Sequence, residues 1–351
     1  MSILRKCKGC GAVLQNTDSQ ALGYVPDLTM EYCQRCFRLT HYDRQQDYID
    51  LTVTQDLSLL EDLKGIFVWI VDVIDLETSL LSVIPQFLKT RRFIMVVNKC
   101  DLLPATVKEN KIRKYIGLRL KELGLQSEAV IIRGRESSFR DKMIEIIRNS
   151  DEEFIFMGIA NVGKSTVIND LLNQQLLTVN RNPSTTLALN RIETEYGTLI
   201  DSVGLVAKES IQAYLASNTL KQVVPYAPIN PLIYQLRSSQ SIAIGGLARI
   251  DLLDCGGLTC VVYCSNLLTV NRGKQVNRDQ LWKRHYGREL SPVVKGAGGL
   301  GQMKKTTFEY REGKLDICIA GLGWICVSGK FSRIDVYSAP QIGVHERKVL
   351  I

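Results

Sequence analysis

Two short stretches of this chain hold residue types whose spacing implies chemistry. Residues 155–166 read IFMGIANVGKST, which contains G-x-x-x-x-G-K-[ST] at Gly158, Gly163, Lys164 and Ser165. An apolar run precedes the pattern and a helix-patterned run follows it, the context such a phosphate loop requires. Its glycines let backbone N–H groups close around phosphates at a helix N-terminus. Lys164 would neutralise the β- and γ-phosphates and Ser165 would ligate Mg2+, with Asn161, Val162 and Thr166 in the same nucleotide-binding turn. The second stretch, VVNKCDLLP at residues 96–104, ends an apolar run with NKCD. An aspartate carboxylate accepts from both N1–H and N2–H of guanine, a pair that adenine does not offer, so Asp101 selects GTP over ATP. Asn98 braces the loop and faces the O6/N7 edge of the base, and Lys99 lies along the ring.

Two further loops complete a GTP site. PSTT (183–186) precedes a β-patterned run and offers a threonine to Mg2+ and the γ-phosphate; Thr186 is favoured over Thr185. DSVG (201–204) ends a strand, with Asp201 behind the metal's own ligands and Gly204 for an N–H to the γ-phosphate. The expected catalytic set is Lys164, Thr186, Gly204 and Asn161. Val203 stands where D-x-P-G carries proline, and Leu205 stands where many GTPases carry the glutamine that orients the attacking water. Leucine cannot orient water, so hydrolysis is expected to be slow alone or to borrow a group. Asn161, in a G-x-x-N-x-G-K-S pattern, is a candidate to help bind K+ in place of an arginine finger. The alternative is that it merely caps the loop. The base reader precedes the phosphate loop, the reverse of the usual order.

A metal site is readable near the N-terminus. CKGC (7–10) and CQRC (33–36) are two C-x2-C knuckles with 22 residues between them, the spacing of a tetrahedral zinc held by four thiolates. Cys7, Cys10, Cys33 and Cys36 would close a structural site, with His41 as a competing ligand. The chain has ten cysteines. The other six, Cys100, Cys255, Cys260, Cys264, Cys318 and Cys326, fall mostly in apolar runs and read as small buried hydrophobes. No export signal supports a disulfide framework.

These residues need elements to position them. At 351 residues, 45% hydrophobic and 23% charged, the chain is long enough for two or three cores. No apolar run reaches the roughly 18 residues of a membrane span, so no membrane partner is expected and the cytoplasm is the default. Residues 1–48 are polar and cysteine-rich, a zinc-binding module that needs a staple to fold. Residues 49–221 alternate apolar runs (65–72, 92–98, 129–134, 153–158, 188–194, 196–201) with helical stretches (108–124, 138–149, 164–173). Apolar runs without alternation imply a mainly parallel sheet with helices on both faces. Residues 222–351 break into short β-rich runs, PLIYQL, SIAIGGLARIDLL, LTCVVYCS, LDICIAGLGWICVSG and RIDVYSA, a mostly β domain.

The charge is uneven. Residues 223–351 hold 17 Lys+Arg against 9 Asp+Glu, a net of +8, whereas residues 1–222 hold 27 of each. A polyanionic partner for the last third follows. NRGKQVNRDQLWKRHYGR (271–288) places Arg272, Lys274, Arg278, Lys283, Arg284 and Arg288 around Trp282, His285 and Tyr286. Cations on phosphates and aromatics on unpaired bases would suit single-stranded RNA. The other reading is an amphipathic helix with a solvated basic face and Trp282 in the core. The G-x-G-x-x-G at Gly296, Gly298 and Gly301 has neither the strand before it nor the helix after it that a dinucleotide site needs.

Taken in this order, CKGCGAVLQ, ALGYVPD, CQRCFRLTHYD, VDVIDLETS, NKCDLLP, GIANVGKSTVIN, PSTT, IYQL, GGLARID, the SNLLTVNR run and IAGLGW resemble the YqeH family of circularly permuted, zinc-containing ribosome-assembly GTPases. The resemblance covers nearly the whole chain. It implies an α/β fold with a circularly permuted P-loop GTPase domain, an N-terminal four-cysteine zinc module and a C-terminal β domain that meets RNA. It further implies a GTP/GDP, Mg2+ and Zn2+ protein that acts on the small ribosomal subunit or its rRNA, expected as a monomer. The rival function is an RNA-binding protein whose guanine nucleotide is structural. Ser184 departs from PGTT, and Arg133-Gly134 in AVIIRGRESS stands where a Ser-Ala usually touches the base. Permutation leaves such a site intact because every loop stays at the C-terminal edge of the sheet. It also leads residues 201–204 directly into the basic domain, so a switch that orders on GTP would move the RNA surface.

Overall fold

Each apolar run between residues 65 and 201 forms a strand, and the order of those strands across the sheet decides which loops become neighbours. The computed structural model describes residues 5, 7, 13–17, 24–34, 57–134, 138–173, 189–202, 204–294 and 300–351. The chain divides into two compact units, residues 1–100 with 113–207 and residues 101–112 with 208–351.

The first unit is built on α1 (Ser58–Glu61), β1 (Ile66–Asp72), α2 (Leu76–Leu80), α3 (Ile84–Leu88), β2 (Phe93–Asn98), α4 (Glu109–Glu122), β3 (Ala129–Ile132), α5 (Phe139–Arg148), β4 (Phe154–Met157), α6 (Lys164–Leu172), β5 (Asn190–Thr194) and β6 (Gly197–Asp201). Helix α4 begins in residues grouped with the second unit. The sheet order is β3-β2-β1-β4-β6-β5. All pairs are parallel except β5 with β6. Strands β1, β2 and β4 are buried at every residue, which requires cover on both faces. Each fully buried Phe, Val or Ile of β1 contributes about 2 kcal/mol of transfer free energy. Helix α2 was not readable in advance. Its five residues are all buried, too short a run to show a 3.6-residue period. Glu77 within it is held by Arg119 of α4 at 2.6 Å.

The second unit comprises α7 (Ser217–Val223), β7 (Leu232–Leu236), β8 (Gln240–Ile244), β9 (Ala248–Leu253), β10 (Leu258–Cys264), β11 (Val270–Lys274), α8 (Arg278–His285), β12 (Lys304–Ile319), β13 (Gly323–Ser338) and β14 (Val344–Arg347). All its strand pairs are antiparallel. The two runs LDICIAGLGWICVSG and RIDVYSA do not make separate strands after the hairpin turn. They share one long strand, β13, which pairs with β12 throughout, with β10 over Gly323–Ser328 and with β9 over Arg333–Ser338. Gly329 sits at the junction with φ of 127°, where a Cβ would lie 3.1 Å from the Gly257 carbonyl oxygen. Only glycine meets both demands comfortably. The Arg272 guanidinium of β11 lies 5.2 Å from the Tyr234 ring centre of β7, although the two strands stand at opposite ends of the strand order β11-β8-β9-β13-β10-β7. The core of this unit takes in Ile211, Leu215, Leu220 and Val223.

The cysteines outside the N-terminal knuckles behave as small hydrophobes. Cys100, Cys255, Cys260, Cys264, Cys318 and Cys326 are all buried. Burial pushes the Cys264 and Cys326 thiols up to about 12, so they are inert at neutral pH. In the basic stretch, Trp282 of α8 is 1% exposed against Ala243 and Leu290, and it packs on Tyr286 at 5.5 Å. Trp282 is therefore not free to stack on a base, and the helix is amphipathic, with Trp282 in the core. Lys283, Arg284 and Arg288 remain exposed. Gly301 lies in a single 3-10 turn, Leu300–Gln302, that leads into β12 rather than into an α-helix, while Gly296 and Gly298 lie outside the described residues.

Candidate functional site

Register brings the loops together. Asp72 pairs with Asn98, Trp69 with Met157, and Phe156 with Asp201. Strands β1 and β2 thus end level with each other, β4 and β6 end within one residue of each other, and β1 runs on from Trp69 to Asp72 beyond the end of β4. The loops that follow carry NKCD, GIANVGKS and DSVG at the carboxyl edge of the sheet, where α/β proteins bind ligands.

The phosphate loop runs from Gly158 to the start of α6. A Cβ on Gly158 would lie 2.7 Å from the Ile70 carbonyl oxygen, and one on Gly163, with φ of 91°, would collide with Asn98 Nδ2. Both glycines are required by close approach rather than by the pattern alone. Asn161 has φ of 67°, a left-handed conformation that asparagine tolerates better than most residues. The backbone of the next loop is laced to this one: Leu205 N–H donates to Gly158 O at 3.0 Å, and Ala160 N–H donates to Leu205 O at 2.6 Å. A Cβ on Gly204 would meet Ala160 Cα only at 3.6 Å, so the glycine backbone lies along the loop. Leu205 is buried, as its apolar side chain demands.

Lys164 is buried and paired with Asp201, which is 1% exposed. Burial raises the Asp201 carboxyl above the usual carboxylate range, and the Lys164 ammonium opposes that shift. Ser165 and Thr166 occupy the first turn of α6, half-buried, where the helix N-terminus is electropositive.

The base strip is tied to the phosphate loop by its own side chains. Asn98, 1% exposed, donates from Nδ2 to Val162 O at 2.7 Å and accepts at Oδ1 from Arg133 Nη1 at 3.0 Å. Lys99, with φ of 62°, donates from Nζ to Asn161 O at 2.6 Å and to Asp72 Oδ2 at 2.5 Å. Asp101 follows in the tight turn Cys100–Leu102. Arg133 also donates from Nε to Asp170 Oδ2 at 2.9 Å. Asp72 closes the apolar run of β1 and was legible as its one polar end. Asp170 carried no signal, since nothing local marks a carboxylate in the middle of α6.

The residues present fit Mg2+: the Ser165 hydroxyl at the start of α6 and the Asp201 carboxylate at the end of β6 are hard oxygen donors. For zinc, Cys7 and Cys33 are both buried, and Cys33 N–H donates to Cys7 Sγ at 3.1 Å. Among the described residues no group of three or more metal-binding side chains converges. Cys10, Cys36, His41, Ser184, Thr185, Thr186 and Val203 lie outside the described residues. No helix among the described residues is long and apolar enough to cross a membrane.

Parts of the chain match two family models. Residues 258–350 match the family model described as YqeH-like, C-terminal, and residues 153–232 match the one described as 50S ribosome-binding GTPase. YqeH of Bacillus subtilis (strain 168) is 31% identical over 363 residues, covering 98% of this chain and 99% of that one. NO-associated protein 1, chloroplastic/mitochondrial, of Arabidopsis thaliana is 24% identical over 387 residues, covering 92% of this chain and 69% of that one. Among solved structures, YjeQ of Thermotoga maritima aligns at 19% identity with a TM-score of 0.28, over 44% of this chain and 55% of that one.

Proposed function

The chain belongs to the YqeH family, and from that premise we propose that it hydrolyses GTP in the service of small-ribosomal-subunit assembly. One observation carries the nucleotide reading. A guanine-reading strip and a phosphate loop more than fifty residues apart are joined at one sheet edge by Asn98 to Val162 and Lys99 to Asn161.

Residue roles follow from that edge. Lys164 exchanges Asp201 for the β- and γ-phosphates, and the Gly204 N–H donates to the γ-phosphate. Mg2+ would be held by Ser165 and Thr186 with Asp201 behind them, and it supplies neutralisation of phosphate charge. Leu205 leaves the attacking water unoriented, so intrinsic turnover is slow. Asn161 would help hold K+, which would offset the charge that builds on the phosphates. Cys7, Cys10, Cys33 and Cys36 hold one structural Zn2+, and its chelation should unfold residues 1–48 while nucleotide binding persists. Exposed Lys283, Arg284 and Arg288 meet rRNA phosphates.

The decisive test is Asp101→Asn, which replaces an acceptor by a donor facing the base. It should shift preference from guanine to xanthine nucleotides by at least about tenfold; unchanged GTP affinity would overturn the assignment of the base reader. Single-turnover hydrolysis separates a catalyst from a protein whose nucleotide is structural. The partner is tested by gradient sedimentation with ribosomal particles, with and without a non-hydrolysable GTP analogue. Co-migration with small subunits is expected, and exclusive co-migration with large subunits would overturn that partner.

A further inference from the structure

We infer that Arg133 is a positioning residue for guanine recognition, setting the orientation of Asn98 while Asp170 of the phosphate-loop helix anchors it. The inference rests on the GTP reading above and extends it to residues whose types alone did not point there.

Arg133 holds the base strip twice, by separable means. Its main chain is structural: Arg133 N–H donates to Val97 O at 2.8 Å, and Arg133 O accepts from Cys100 N–H at 3.2 Å. Any residue could make those two bonds. The side chain does something only arginine can do here. Its Nη1 donates to Asn98 Oδ1 at 3.0 Å, and its Nε donates to Asp170 Oδ2 at 2.9 Å. The fork geometry lets one rigid plane serve both partners. The guanidinium carbon lies 5.8 Å from the buried Phe139 ring centre.

The consequence falls on the amide of Asn98. A side-chain amide can present oxygen or nitrogen in either direction, and the hydrogen-bond network decides which. Here Arg133 claims the oxygen and Val162 O takes an N–H. With both ends committed, Nδ2 keeps its second N–H for a base acceptor, which suits the O6/N7 edge. A charged donor enforces that orientation more strongly than a hydroxyl would. Asp170, on the helix that begins at Lys164, ties the orientation to the phosphate loop. The strip is thereby tied to the helix that follows the loop.

The test compares two nucleotides. Inosine diphosphate keeps O6, N7 and N1–H but lacks the 2-amino group that Asp101 reads. If Arg133 acts through Asn98, Arg133→Met weakens GDP and IDP alike, by about tenfold, and the GDP/IDP ratio stays within about twofold of wild type. Asp170→Asn alters a carboxylate that is 39% exposed and so should leave folding intact. It should weaken both nucleotides by a smaller factor, and the double variant should be no weaker than Arg133→Met alone. Thermal midpoints without nucleotide serve as the folding control. Unchanged GDP affinity in both single variants, a changed GDP/IDP ratio, or additive losses in the double variant would each overturn the inference. A wild-type chain that binds neither nucleotide overturns the GTP reading itself, and this one with it.

Discussion

Both units bury aspartates in ion pairs, but at the sheet edge of the first and in the sheet of the second the main cations differ. At the sheet edge of the first unit, buried aspartates meet lysines: Asp201 with Lys164 and Asp72 with Lys99. In the C-terminal unit they meet arginines: Asp316 with Arg347 at 3.3 Å, and Asp251 with Arg249 at 3.2 Å and Arg278 at 3.0 Å. Burial raises the carboxyls of Asp201, Asp316 and Asp251 alike, with the cation opposing. What differs is how firmly the cation is held. Arg347 lies 5.1 Å from the Trp324 ring centre and Arg249 lies 4.4 Å from Tyr337, whereas Lys164 stands at the mouth of a glycine loop. A planar guanidinium stacked on a ring is a permanent fitting, and a point-charge ammonium can change partners. The C-terminal pairs of Asp251 with Arg278 and of Asp316 with Arg347 join residues far apart in the chain, whereas on the reading proposed above Lys164 would leave Asp201 for the phosphates of GTP.

The largest effect should come from breaking a permanent pair. Arg347→Met leaves Asp316, 0% exposed, buried without its cation, which should cost about 3–5 kcal/mol in denaturant unfolding. Nucleotide affinity should be unchanged, and a parallel loss of GTP binding would break the contrast. Next comes the exchangeable pair. Lys164→Ala should slow single-turnover GTP hydrolysis by about 10²–10³-fold, with the unfolding of the C-terminal unit unaltered.

A third prediction sharpens the contrast between buried and exposed cations in the second unit. Replacing Lys283, Arg284 and Arg288 with Ala should weaken subunit or RNA binding and lower the salt slope by about 2–3. Intrinsic GTP hydrolysis should stay at the wild-type rate. Undiminished binding would move the RNA surface, most simply to the zinc module. The smallest effect concerns Asn161: hydrolysis should be faster in KCl than in NaCl at matched ionic strength, and Asn161→Ala should abolish the difference. Equal rates in both salts would assign Asn161 to loop capping alone.

The parts that follow local rules can be read from short stretches of residues. Runs such as FVWIV and FIMVV had to be interior parallel strands, since they lack the alternation a solvated face requires. The glycine spacing around Asn161 and the NKCD strip announced phosphate and guanine chemistry, because those ligands are gripped by backbone and side chains within a few residues. The tertiary structure decided what depends on partners distant in sequence. It joined two predicted runs into β13, because strand length is set by the neighbours on both edges. It withdrew Trp282 from solvent, because a helix face is assigned by what it packs against. It also brought Asp170 to Arg133 and gave Leu205 a backbone role beside Gly158. Each of these contacts joins segments separated in the chain, and which segments meet is a property of pairs that no single stretch of residues contains.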